Sequence, residues 1–463
     1  MQAEPISNLN GGVEPTTLDA ADQLAIVDKS DTTQAPTGTT KPVALSKLVT
    51  FFNSSLSFLS SVPSGKVGLA DSNGVYTFYA TLQLAINAAS SGQTVELFSD
   101  ITETTDTVVT LKDGVKINGN GHTYTLDFAS ATNAISATTP SGIYHLFNLN
   151  IKRVNSTSGS GLTTTANGIK MYGHNCYVES DGSGGAIALS GSGVYIQEFT
   201  ARNIGTGAGI HIFASNNEVY KCIGFSDVSV GIFGNFGQLG IVKNCIGESN
   251  SSNGISAKAV YNSYGSSLGA GAGVYGNDEV SGCVGLSNSG AGISGSNNGN
   301  AYNSKGESNT GVGISIRNEI FNCTAMSNTN YGIFVDVFTP KISNCTIISA
   351  SNIGLYINSN NAFTNEAFIA NNYIESKLDA VGGHSLYFAS SNTASSGNVR
   401  ITNNSFKTKN AGANAVIYAG GGVVPTRTMD YANNTFSGMT VGVEAAITQG
   451  ISNTSDSQGN IIT

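Results

Sequence analysis

A Gly followed by an aliphatic residue recurs at Gly209-Ile210, Gly231-Ile232, Gly254-Ile255, Gly273-Val274, Gly292-Ile293, Gly313-Ile314, Gly332-Ile333 and Gly354-Leu355, in steps of 22, 23, 19, 19, 21, 19 and 22 residues. A unit this short cannot bury an apolar face by itself, so successive units must stack and share one core. Three short strands and their turns fill roughly 20 residues, and such a unit returns one strand spacing, about 4.8 Å, further along. A propeller blade needs about 40 residues, and the L-x-x-L-x-L signature of leucine-rich repeats is missing. The pattern therefore predicts an all-β fold, a parallel β-helix of roughly a dozen coils, right-handed because parallel crossovers almost always are. The 57 glycines and 11 % charged residues suit closely spaced turns and leave little material for long amphipathic helices.

About a dozen residues after each Gly comes a second landmark: KCIGFS, NCIGES, NSYGSS, GCVGLS, NSKGES, NCTAMS and NCTIIS. It places Cys222, Cys245, Ser263, Cys283, Ser304, Cys323 and Cys345 at one coil position, and Cys176 in HNCYVES extends the series backwards. Alternation of Cys with Ser at a fixed position predicts small side chains stacked inside a solenoid, with thiols unpaired. Disulfides and zinc sites favour paired or clustered cysteines such as C-x-x-C, which never occurs here. Asn372, Asn404 and Asn434 take the same slot later, where coils lengthen to about thirty residues, and stacked amides can bond along the axis as in cross-β ladders.

The net charge of −9 with 21 Lys plus Arg provides no basic stripe for nucleic acid. The N-terminus lacks the basic and apolar regions of a signal peptide, and no run of eighteen apolar residues occurs, so neither secretion by that route nor membrane insertion is expected. No cofactor or metal is expected: Asn277-Asp278 is a turn of the kind that holds Ca²⁺, without a regular ligand series around it.

Residues 78–92 carry the one helical pattern, with Leu82, Ala85, Ile86 and Ala89 on one face and Gly92 as a stop. A solenoid needs its open end covered, and this helix is placed to do so. The run from Leu82 through Thr94-Val95-Glu96-Leu97 to Gly119-Asn120-Gly121-His122-Thr123 resembles the cap and first coil of pectate-lyase-like β-helix proteins, over about residues 75–440. That resemblance implies fold more than activity: many members are lyases or hydrolases of acidic polysaccharides, and others only bind or build.

Residues 1–60 resemble the leader of bacteriophage tail-fibre and tailspike proteins, with a strand at Asp22–Asp28, a turn at Gly38–Lys41 and a short helix from Leu45. The organisation expected is therefore a virion-anchoring segment over 1–60, a linker over 61–77, the β-helix with its capping helix over 78–440, and a C-terminal cap or tail over 441–463. The resemblance implies a virion appendage made in the host cytoplasm, homotrimeric, joined to other virion proteins by its N-terminus and presenting its flank to host-surface polysaccharide. The alternatives are a tailspike depolymerase and a cell-surface adhesin.

For catalysis, coil register selects Glu279 and Glu319, each six residues past a landmark Gly and two coils apart, on the order of 9.6 Å between backbones. That is near the spacing of inverting glycosidases. Arg317 and Asp336 become neighbours one coil apart, and with Asp278 these residues form the densest charged patch. Glu248 and Glu307 share a slot three coils apart, which is too far. Tyr275, Tyr302 and Tyr331 are candidates for glycan stacking, with Tyr261 and Tyr264. His122, His145, His174, His211 and His384 show no metal-ligand spacing and read as ordinary turn or face residues.

Overall fold

The computed structural model describes residues 66–438, apart from 236–238, 297–298, 337–339, 359–365, 380–382, 391–398, 410–415 and 421–427, together with the strands Gln23–Asp28, Thr39–Ala44, Ile447–Thr448, Asn453–Gln458 and Ile461–Ile462. The chain divides into two compact units, Met1–Gly65 and Lys66–Thr463.

In the first unit, Gln23–Asp28 pairs antiparallel with Thr39–Ala44, Gln23 opposite Ala44 and Asp28 opposite Thr39. The expected strand at 22–28 is present. The expected turn at Gly38–Lys41 is instead mostly strand: Thr39, Thr40 and Lys41 pair with Asp28, Val27 and Ile26, and threonine is a residue type that favours strands. The helix expected from Leu45 lies outside the described residues.

The second unit begins with a hairpin where residues 61–77 read as a linker. Val67–Ala70 pairs antiparallel with Tyr76–Tyr79 on one side and with Thr94–Leu97 on the other. Val67 and Leu69 are buried, and the Asp71 carboxylate closes the turn by accepting the backbone N–H groups of Asn73 and Val75 at 2.8 and 2.9 Å. The helix is shorter than the 78–92 pattern. It spans Leu82–Ala88, with the Thr81 hydroxyl accepting from the Leu84 N–H, because Phe78 and Tyr79 belong to the hairpin. Leu82, Ala85, Ile86 and Ala89 are buried against the first coil, as their spacing requires.

From Thr94 onward the strands stack in three parallel faces, the β-helix that the repeat predicts. On the first face Ile210, Ile232, Ile255, Val274, Ile293, Ile314, Ile333 and Leu355 stand in register and point inward, fully buried. On the second, Val219, Val242, Val260, Val280, Ala301, Ile320 and Ile342 do the same. The third begins directly after the landmark Cys or Ser. The turn between the second and third faces is a single left-handed residue, and its repeated Asn is the residue type besides Gly that adopts this conformation at least strain.

The landmark residues form a buried ladder inside that turn. The Cys222 N–H meets Cys245 Sγ at 3.3 Å, the Cys245 N–H meets Ser263 Oγ at 3.1 Å, the Cys283 N–H meets Ser304 Oγ at 3.0 Å and the Cys345 N–H meets Asn372 Oδ1 at 2.9 Å. Burial pushes the thiols of Cys176, Cys245 and Cys283 up, to about 11, 12 and 11, so they remain protonated donors. The series is not continuous: Phe199 sits opposite Cys176 and fills the slot before Cys222. The last residues also depart from expectation. Over 441–463, read as a cap or tail, Ile447–Thr448, Asn453–Gln458 and Ile461–Ile462 extend all three faces in parallel register.

Candidate functional site

Two outward files run along the second face: Glu218, Ile241, Ala259, Glu279, Asn300 and Glu319, and beside them Tyr220, Lys243, Tyr261, Ser281, Tyr302 and Phe321. Glu279 and Glu319 thus share one file with Asn300 between them. Each accepts a phenol from the preceding coil, Tyr261 to Glu279 at 3.4 Å and Tyr302 to Glu319 at 3.0 Å. Burial, the bond to Glu319 and the charges of both glutamates push the Tyr302 phenol up to about 12. A phenol held this way stays protonated and donates. The pairing makes a hydrogen-bonding surface.

The structure divides the charged patch read from the sequence. Arg317 and Asp336 approach to 3.7 Å at the corner between the first and second faces, where Asn358 also donates to Asp336 at 3.2 Å. Asp278, at the same corner, faces Lys258 at 3.9 Å. These ionic partners sit on a corner while the two glutamates lie on the flat face beyond it. Coil register places residues along the axis but leaves their position around it to the turn conformation.

The tyrosines separate too. Tyr275 stands on the first face between Ser256 and Ser294. Tyr331 belongs to an aromatic stack: its ring centroid is 4.5 Å from Tyr356 and 5.8 Å from Phe334, and Tyr356 is 5.3 Å from Tyr387, with interplanar angles of 14–20°. Rings stacked along the axis cover one another's faces and leave mainly edges outward, whereas sugar stacking uses a ring face. Tyr302 is occupied by Glu319.

A groove of about 680 Å³ lies on the third face and runs along the axis. Its floor is the outward file Ser266, Leu286, Glu307 and Met326, and beside it Leu268, Asn288, Asn309 and Asn328 form a rim whose asparagines are linked by amide bonds of 3.2 and 2.9 Å. Leu268 is 64 % exposed. Glu307, the one charged residue of the lining, is paired with Lys305 at 2.8 Å. A second depression of about 420 Å³ lies on the same face in earlier coils, lined by Tyr177, Arg202, Phe225, Asp227, Glu248 and Asn250, with Arg202 and Asp227 3.4 Å apart. Sequence reasoning missed this face. The available signal was the third residue of the third-face strands, which points outward and is apolar at Phe225, Leu286 and Met326 while Glu248, Ser266 and Glu307 take it in the coils between.

It also missed a pairing of histidines. The His145 and His174 rings lie 6.1 Å apart and nearly parallel, His145 stacking on Tyr172 and His174 on Phe147. Their 29-residue separation is one coil plus two residues, which brings them together across neighbouring strands. Burial, then the charges of His174 and Lys116, hold the His145 imidazole below its ordinary pKa.

No family model and no curated protein matches the chain. Among solved structures it is similar to the A-module of the Azotobacter vinelandii mannuronan C-5 epimerase AlgE6, at 14 % identity and a TM-score of 0.32, covering 82 % of this chain and 94 % of that one. A likeness this distant carries no argument about chemistry.

Proposed function

We propose that this chain is a structural virion appendage protein, of the fibre or spike kind, that attaches through residues 1–60 and binds host-surface polysaccharide along the flank of its β-helix. The observation that supports binding is the third-face groove. Leu286 and Met326 on the floor and Leu268 on the rim offer apolar surface to the C–H faces of sugar rings, the asparagine amides and Glu307 take their hydroxyls, and the groove follows the axis as an extended polymer would. The phage part of the reading rests on the likeness of residues 1–60 to appendage leaders. The appendage is a homotrimer closed about a three-fold axis, and it is made in the host cytoplasm.

The test incubates purified full-length protein with capsular and lipopolysaccharide glycans and follows binding, product size and the ultraviolet absorbance of unsaturated ends. Binding of intact glycan is expected. Shortened product would make the protein a depolymerase, with the absorbance separating lyase from hydrolase. The anchoring half has its own check: a chain lacking residues 1–60 should fold as a β-helix and no longer join particles, and normal incorporation would refute it.

A further inference from the structure

The left-handed turn between the second and third faces obeys a rule with two adjacent exceptions. Its occupants are Asn148 and Asn175, then Glu198 and Lys221, then Asn244, Asn262, Gly282, Asn303, Asn322, Asn344, Asn371, Asn403 and Asn433, all with φ between 46 and 65°. Asn and Gly take this conformation readily, whereas Glu and Lys adopt it at a penalty. Two more irregularities meet at the same coil. The strand register shifts between Tyr172 and Cys176, and Phe199 interrupts the small-residue ladder directly beneath Glu198.

Local ion pairing does not account for the exception. Glu198 faces His174 at 3.6 Å and Lys221 at 3.8 Å, with all three side chains about 36–50 % exposed, and contacts of that kind contribute little in water. Gln197 donates to the same carboxylate at 2.7 Å and is itself held by Tyr195 at 2.8 Å. The carboxylate is therefore fixed in place, at the edge of a polar depression of about 310 Å³ that also includes Asn148, Asn150, Asn175, Tyr177 and Thr200. The amides of Asn148 and Asn175 are joined at 3.1 Å, fixing their orientation as well. Amides, a hydroxyl and an oriented carboxylate are groups that recognise vicinal sugar hydroxyls. A sugar carboxylate is disfavoured, because the Glu198 carboxylate lines the depression and the Lys221 ammonium is already directed to it.

We infer that the turn at Glu198 and Lys221, with the depression beside it, is a saccharide-contact site that takes a neutral, hydroxyl-rich segment of the bound polysaccharide. This rests on the glycan-binding reading and adds a location and a ligand class to it. Glu198 accepts sugar hydroxyls, Asn148 and Asn175 bond those beside them, and Gln197, itself held by Tyr195, orients the carboxylate.

The test uses the full chain, a panel of purified neutral and acidic bacterial capsular and O-antigen polysaccharides, and two variants. Glu198→Asn restores the rule of the turn, so it should raise Tm by roughly 1–3 °C while weakening binding to neutral polysaccharide at least tenfold. Glu198→Gln keeps the backbone strain and removes the charge; it should lose binding with no gain in Tm. If both variants bind as the wild type does, or if the wild type binds only acidic polysaccharides, the site is refuted and glycan binding elsewhere on the flank survives. A Tm unchanged or lowered in Glu198→Asn removes the strain argument and overturns the inference. A wild-type chain that binds no member of the panel ends both readings.

Discussion

Asn404 Oδ1 accepts two hydrogen bonds from Asn372, from its backbone N–H at 2.9 Å and from its side-chain Nδ2 at 3.0 Å. Asn434 does the same for Asn404, at 2.9 and 3.1 Å, and each Nδ2 also reaches a buried carbonyl one coil earlier. Replacing Asn404 by Ala strands the Asn372 N–H and the Ile369 carbonyl out of reach of water. Each orphan costs on the order of 1–3 kcal/mol, so Asn404→Ala should lower stability by about 2–4 kcal/mol. Asn404→Ser, which keeps an acceptor as in earlier coils, should lose clearly less. Thermal and denaturant unfolding of the two variants tests the order; equal losses would mean the amide stack contributes nothing beyond its volume.

Arg153 is fully buried, in the inward slot that Ser180, Asn203 and Ser226 take in later coils. Its guanidinium donates to the carbonyls of Thr132 at 2.7 Å, Ser130 at 2.9 Å and Leu126 at 3.3 Å. Burial lowers its pKa, opposed by the more distant Asp181, Asp106 and Asp127. Arg153→Met fills similar space but leaves the Thr132 carbonyl without the guanidinium donor, while Ser130 keeps the Thr157 N–H at 3.1 Å, so it should destabilise by about 2–3 kcal/mol. Proteolysis should then begin near residues 126–132. A variant as stable as the wild type would show that water replaces the guanidinium.

The parts of the fold legible in the sequence are those a coil repeats. Gly209 to Gly354 mark first-face strands, and Cys222 to Asn434 mark the turn, because inward side chains stacked one coil apart must be alike in size and bonding. What happens once was not legible. Phe199 replaces a small residue only where the register shifts, and the hairpin at Val67–Tyr79 reads as a linker because its strands are short and its partner, Thr94–Leu97, lies beyond the helix. Sites were the least legible part. Coil arithmetic placed Glu279 and Glu319 in one file, but it assigned Arg317 and Asp336 to the same patch although they occupy a corner. His145 and His174 read as ordinary turn or face residues, because early coils are longer than the 19–23-residue step and the repeat does not bring them together.

His211 is a pH-sensitive point in the core's outer layer. Its ring packs on Phe213 at 3.6 Å and near Phe233 at 4.9 Å, and its Nε2 is buried without a hydrogen-bond partner among the described residues. Burial drives its pKa down to about 4. The unfolded chain, near 6.5, therefore binds more protons than the folded one between pH 6.5 and 4. The stabilisation is complete above pH 6.5 and is lost as pH falls through that window, by about 2 kcal/mol after allowance for partial exposure. Unfolding free energy measured from pH 7 to 4 should fall less steeply in His211→Phe than in the wild type. Parallel curves would place the acid sensitivity elsewhere.

Glu319 separates a recognition surface from a catalytic one. Its carboxylate accepts the Tyr302 phenol at 3.0 Å, its backbone N–H is held by Asn300 at 3.3 Å, and Lys341 follows in register on the next coil. Gln in its place still accepts from Tyr302 and fits the same file. If the second face serves only as a polar surface, Glu319→Gln should leave Tm within about 1 °C and glycan binding within twofold. A glycosidase that lost its acid or base would instead keep binding and lose turnover by several orders of magnitude. Following product size and binding together in this one variant decides between the two roles, and turnover present in the wild type but absent in Glu319→Gln would restore the catalytic one.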